Sequence, residues 1–222
     1  MVPGWAIPAP PQPRPRGTPN RSLFMAGAVG NFIAAGVSIP FAVFALFLAF
    51  GFGFGFFGIL SVVALTIAIL MATALVIQLI GFYGFWRNYG SRMGVVTFAF
   101  GLAAIGVFLG AISLVFVVRD SLSTIVYLAG YVLLGVMFIL DGVAFLVNRH
   151  FVLPGASIAT GVLFIIAGGF VCSLLFASVG GIVAMPAFII GGIVLVNAPI
   201  PVMYSPPPDY ASPSGARPPF PP

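Results

Sequence analysis

The sequence contains no lysine and no glutamate. Its eight cations are all arginine and its three acids are all aspartate. Charged side chains make up 5% of the 222 residues, whereas a soluble domain carries about 25%. So few charges cannot cover the surface of a water-soluble fold of this length. The shortage excludes a soluble globule and leaves lipid as the expected solvent. The replacement of Lys by Arg and of Glu by Asp reads as a compositional bias and not as a function.

Cysteine and histidine are nearly missing as well. A single Cys, Cys172, excludes an intramolecular disulfide, and Cys172 with the lone His150 offers no metal-ligand spacing. The unaccompanied His150 also excludes a Ser-His-Asp set, and it reads as an interface residue beside Arg149. There is no acidic pair for hydrolytic chemistry. The Gly-Phe alternation of Gly51–Gly58 lacks the strand–turn–helix context of a phosphate-binding loop. The chain is therefore expected not to be an enzyme and to hold neither cofactor nor metal. Its net charge of +5 is scattered at segment ends and forms no basic stripe, so no nucleic-acid partner is expected. Nor does a 7–15-residue apolar core, about the length of a cleaved signal's, precede Leu23.

What the sequence has in quantity is apolar length. Hydrophobic residues are 61% of the chain. Ser22–Trp86 is a run of 65 residues without a charge, and 156–198 a run of 43. A membrane-spanning helix needs about 20 residues, so each run holds two spans and a turn. The glycines of Gly51–Gly58 permit the first turn. The second is expected near Ser178–Gly181. The fold class is all-α: a polytopic integral membrane protein with six transmembrane helices in a bundle, at about 23–49, 57–86, 94–118, 125–147, 156–177 and 181–198. Pro40 is expected to kink the first span. The Pro-rich segments 1–22 and 199–222 have no core to bury and read as disordered tails.

Charge orients this bundle. With both tails cytoplasmic, Arg14, Arg16, Arg21, Arg87, Arg92, Arg149 and Arg217 lie inside and only Arg119 lies outside, beside Asp120. That asymmetry follows the positive-inside rule. The expected location is the plasma membrane, with both termini cytoplasmic.

Small residues recur at near-heptad spacing, as close packing of membrane helices requires. The stripes are Gly27, Asn31, Ala34 and Ser38 in the first span, and Gly180, Ala184, Ala187 and Gly191 in the sixth. The third span carries Ala99, Ala103, Gly106, Gly110 and Ser113. This last stripe fits either packing inside the bundle or a face for a second copy, which would make the protein a homo-oligomer.

Asp141 is the one charge inside an apolar segment, which by default marks a functional candidate that needs a partner. Tyr127, Tyr131, Leu134, Phe138 and Asp141 recur at helical spacing and share a face. Either the face is a proton or cation relay, or Asp141 pairs with Arg149, Arg87 or Arg92 reaching inward from the cytoplasmic side. Asn31, Thr66, Thr73, Gln78, Thr97 and Ser113 are expected to make interhelical hydrogen bonds. In the C-terminal tail, Pro207, Pro208 and Tyr210 match the PPxY form read by WW domains, and Pro11–Arg16 resembles an SH3-type ligand.

Taken together, these features point to a non-enzymatic membrane protein of structural or interaction type, whose specific role the sequence does not name. A small transporter or ion- or proton-conducting protein built on Tyr127, Tyr131 and Asp141 is the alternative. An adaptor that recruits a Pro-motif-reading protein through its tails is another. The expected partners are the lipid bilayer, a second copy and such a reader.

Overall fold

The computed structural model of the chain describes residues 18–49, 59–117, 121–173 and 176–201. Among them lie six helices and no strand: α1 (Arg21–Ala49), α2 (Ile59–Tyr89), α3 (Arg92–Val117), α4 (Ser121–Val147), α5 (Pro154–Cys172) and α6 (Ala177–Val196). A 3-10 turn at Asn148–His150 follows α4. All six helices are long and apolar enough to cross a membrane.

Local chemistry sets the ends. Asn20 caps α1, its Oδ1 accepting from the Ser22 backbone N–H at 2.9 Å. Gly90 ends α2 at φ 70°, a left-handed cap that suits glycine, with its N–H donating to Trp86 O at 2.9 Å. Ser91 then opens α3 by accepting from Gly94 N–H. Pro154 sits in the first turn of α5, where its missing N–H costs nothing. Pro40 and Pro186 lie inside α1 and α6.

One expected boundary moves. The α5–α6 break falls between Cys172 and Ala177, not at Ser178–Gly181. The reason is packing. A Cβ at Gly180 would lie 2.8 Å from Ala167 O, and one at Gly181 would lie 3.0 Å from Ala42 Cβ. These glycines bring α6 close to α5 and α1 and do not make a turn.

The helices form a closed ring. Each packs against its sequence neighbours, and α6 packs against α1. The chain runs up and down, so the start of α1, the α2–α3 and α4–α5 connections and the end of α6 meet at one end. Tyr89 ties them together there. Its ring stacks on Phe151 at 4.8 Å and packs against Phe24 at 5.7 Å, and its Oη donates to Pro199 O. Beside it, Asn20 N–H donates to Asn88 Oδ1 at 2.8 Å and Asn88 Nδ2 donates back to Asn20 O at 3.1 Å. Arg21, Arg87, Arg92 and Arg149 all belong to this end. Arg14, Arg16, Arg119, Arg217, the glycine hairpin at 51–58 and the tail motif of Pro207, Pro208 and Tyr210 lie outside the described residues.

Aromatic rings fill the middle. Phe82 of α2 meets Phe145 of α4 edge-on at 5.4 Å, and Phe138 of α4 meets Phe188 of α6 at 5.7 Å. Phe41 of α1 stacks on Tyr131 of α4 at 6.1 Å. These pairs join helices that are not ring neighbours, so the ring encloses packed side chains. The outer surface is apolar, with Val62 and Ile125 65% and 63% exposed.

The small-residue stripes of α1 and α6 face inward and are buried throughout. That of α3 does not. Ala99, Ala103, Gly106, Gly110 and Ser113 are all exposed, and a Cβ at Gly106 or Gly110 would meet nothing within 4 Å. Packing within the bundle is thereby excluded as the use of the α3 stripe. Instead, the tightest α4–α5 crossing uses Gly142 and Gly161. A Cβ on Gly142 would come 2.4 Å from Gly161 O.

Candidate functional site: a buried polar layer

The crossing at Gly142 fixes the level of the residue before it, Asp141. The carboxylate has no exposed surface. Gln78 of α2 reaches it from across the ring and donates from Nε2 to Oδ2 at 3.2 Å. On the α3 side, Thr97 Oγ1 donates at 3.4 Å to Leu140 O, one residue away from Asp141.

The other helices bring polar groups to the same level. On α1, Gly30 lies against the Gln78 backbone, where a Cβ would be 2.2 Å from Gln78 N, so the next residue, Asn31, is level with Gln78. On α5, Thr160 precedes Gly161, the residue that crosses Gly142. On α6, Gly191 packs closely against both sides. A Cβ there would lie 3.2 Å from Asn31 Oδ1, 3.2 Å from Thr160 Cγ2 and 3.3 Å from the tip of Phe145. One layer thus crosses all six helices, with Asn31, Gln78, Thr97, Asp141 and Thr160 fully buried around Gly191.

The hydrogen bonds within the layer leave several oxygens over. Asn31 Nδ2 donates to Gly27 O at 2.9 Å, and Gln78 Nε2 is used on Asp141. These bonds fix which way each amide points, because an amide oxygen cannot donate. Left without a partner among the described residues are Asn31 Oδ1, Gln78 Oε1, Asp141 Oδ1 and Thr160 Oγ1. All four are oxygens. Buried polar atoms are nearly always paired, and leaving one unpaired costs about 1–3 kcal/mol. Three of the four can only accept and the Thr160 hydroxyl can donate to just one, so acceptors outnumber donors around the Asp141 carboxyl group.

The arginines proposed as partners of Asp141 do not meet it. Arg149 stands eight residues further on, about 12 Å along the axis at 1.5 Å per residue, and is exposed, as is Arg92. Arg87 is half-buried and its Nε has no partner among the described residues. A carboxylate this deep is met by the nearer amide of Gln78. The tyrosines are also apart from it. Tyr131 precedes Asp141 by ten residues, about 15 Å of helix, and Leu134 and Phe138 fill the face between them. Tyr127 packs edge-on to Tyr131 at 5.0 Å. The shared face is real, but bulky apolar side chains interrupt it.

Of the other polar residues, Gln78 and Thr97 bond across helices. Thr66, Thr73 and Ser113 are exposed and bond back to the carbonyls of Val62, Ile69 and Leu109 on their own helices. Sequence reasoning missed Thr160 and Ser157, whose Oγ donates to Phe145 O at 2.7 Å. Their signal was present: Ser157, Thr160, Gly161, Phe164, Ala167 and Gly168 mark one buried face of α5 at helical spacing.

Compared with known proteins, the chain matches no family model, no curated protein and no solved structure.

Proposed function

We propose that the chain is a multi-pass integral membrane protein of structural or interaction type and not an enzyme. The ring serves as a packed scaffold, and function is carried by contacts made from its outer face and its tails. The observation that carries this reading is the filled centre. Asp141, the best candidate for transport chemistry, is wholly enclosed and hydrogen-bonded to Gln78, and aromatic pairs bridge the ring. A conductor built on Tyr127, Tyr131 and Asp141 would need a wet path along a face that Leu134 and Phe138 occupy. Reconstitution into proteoliposomes tests the choice. A scaffold gives no cation or proton flux above that of empty vesicles. A flux that Asp141→Asn abolishes without loss of fold would establish the conductor instead.

The exposed stripe of α3 favours a homo-oligomer within the same reading. In a bilayer, small residues that meet nothing in their own bundle let a second helix approach closely. The tails, with Pro207, Pro208 and Tyr210, would leave the bundle at its arginine end. By the positive-inside rule that end faces the cytoplasm of a plasma membrane, where a Pro-motif-reading protein would find them. Membrane-impermeant labelling of single cysteines placed in either tail tests this orientation, and labelling from outside intact cells would overturn it.

A further inference from the structure

The buried layer has a deficit of definite chemistry. Four oxygens on four helices lack partners among the described residues: Asn31 Oδ1, Gln78 Oε1, Asp141 Oδ1 and Thr160 Oγ1. The amide nitrogens that could have turned toward them are engaged elsewhere, on Gly27 O and on Asp141 Oδ2. None of the described arginines, Arg21, Arg87, Arg92 and Arg149, reaches the layer. Burial of a carboxylate without a counter-charge is strongly unfavourable. A small positive ion that takes several oxygen ligands at once would offset that cost.

We propose that Asp141, Gln78, Asn31 and Thr160 form a buried binding site for a small monovalent cation, with sodium the ion that fits this set. Carboxylate, amide carbonyl and hydroxyl oxygens are hard donors, and hard cations take them. The absence of thiolate and imidazole from the layer argues against a transition metal. One carboxylate balances one positive charge and makes the filled layer neutral, whereas a divalent ion would leave it charged in a low-dielectric interior. Calcium sites moreover use six to eight oxygens, often from several carboxylates (about 2.3–2.6 Å each). Gly191 lets α6 approach the layer closely: a Cβ there would lie 3.2 Å from Asn31 Oδ1 and 3.2 Å from the Thr160 methyl. The site stands for a scaffold and for a conductor alike, so the flux result and the binding result are independent.

The test uses the full chain, purified in detergent with choline chloride replacing sodium chloride from cell lysis onward. Thermal unfolding is then followed while sodium replaces choline at constant ionic strength. The expected result is a saturable rise in Tm with sodium, a smaller one with potassium, and about one sodium-22 retained per chain in equilibrium dialysis, the stoichiometry of one buried carboxylate. Asp141→Asn, which keeps the shape and removes the charge, should melt at a temperature independent of sodium. Should that variant not fold, Thr160→Val serves. It removes one ligand and should raise the half-saturating sodium concentration several-fold. Identical melting in sodium and choline would mean that a proton or water occupies the layer, and would overturn the proposal. So would a full sodium response in a folded Asp141→Asn protein, or in Thr160→Val where that variant stands in.

Discussion

Gln78 donates from Nε2 to Oδ2 of Asp141 across 3.2 Å, and both side chains are fully buried in the centre of the helix ring. The two residues lie on α2 and α4, which are not neighbours in the ring. Their bond spans its middle and sets the two helices at one level. Replacing Gln78 with Leu removes the donor and leaves the carboxylate alone. A hydrogen bond to a charged group is worth about 1.5–3 kcal/mol, and a loss of that size is expected in the stability of the purified protein. Replacing both residues with Leu removes the acceptor as well, and the double variant should be more stable than Gln78→Leu alone. A double variant that is weaker by the sum of both single losses would contradict this.

The glycines of the α4–α5 crossing and those of the α3 stripe predict opposite outcomes for the same substitution. Gly142→Leu drives a side chain into Gly161 O and should prevent the ring from closing, because a Cβ there already lies at 2.4 Å. Gly106→Leu and Gly110→Leu meet nothing within 4 Å and should leave the folded monomer unchanged. If α3 is the face for a second copy, they should shift the protein from oligomer to monomer in cross-linking and light scattering. Loss of folded monomer in Gly106→Leu would contradict the outward placement of that stripe.

Tyr89 gathers the arginine end. Tyr89→Phe keeps the stack on Phe151 and loses only the hydrogen bond to Pro199 O, a cost of about 1 kcal/mol. Tyr89→Ala loses the packing against Phe24, Phe85 and Phe151 too, and should cost about 3–5 kcal/mol, the range for truncating a large buried aromatic. Thermal unfolding of the pair separates the two contributions. Equal losses would show that the ring packing contributes little.

The architecture was legible in the sequence because span length and charge are strong, one-dimensional signals. Uncharged runs bounded by arginines place six helices, and the even number puts both ends of the bundle together. The partner of Asp141 was not legible in this way. Gln78 and Asp141 lie 63 positions apart, and only the rotation of each helix about its own axis decides whether they face each other. The α3 stripe was ambiguous for a related reason. Small residues at near-heptad spacing show that something can approach closely, but not from which side. The glycines at 180 and 181 carry the same ambiguity between a turn and a close crossing, and packing decided it. Thr160 went unnoticed because a lone threonine in an apolar helix has no pattern of its own until the level of its neighbours is known.

The enclosed layer at Asp141 is tested most directly by the access of water to that position. Cys172→Ser provides a cysteine-free background, since serine can keep the weak bond to Val132 O. In that background Asp141→Cys and, as a reference, Arg149→Cys are treated with a membrane-impermeant thiol reagent on both faces of the reconstituted protein. The packed ring predicts rapid modification at position 149 and none at position 141 from either face. Modification at position 141 in a folded protein would mean that water reaches the centre of the ring, and would contradict the enclosed layer and the scaffold reading built on it.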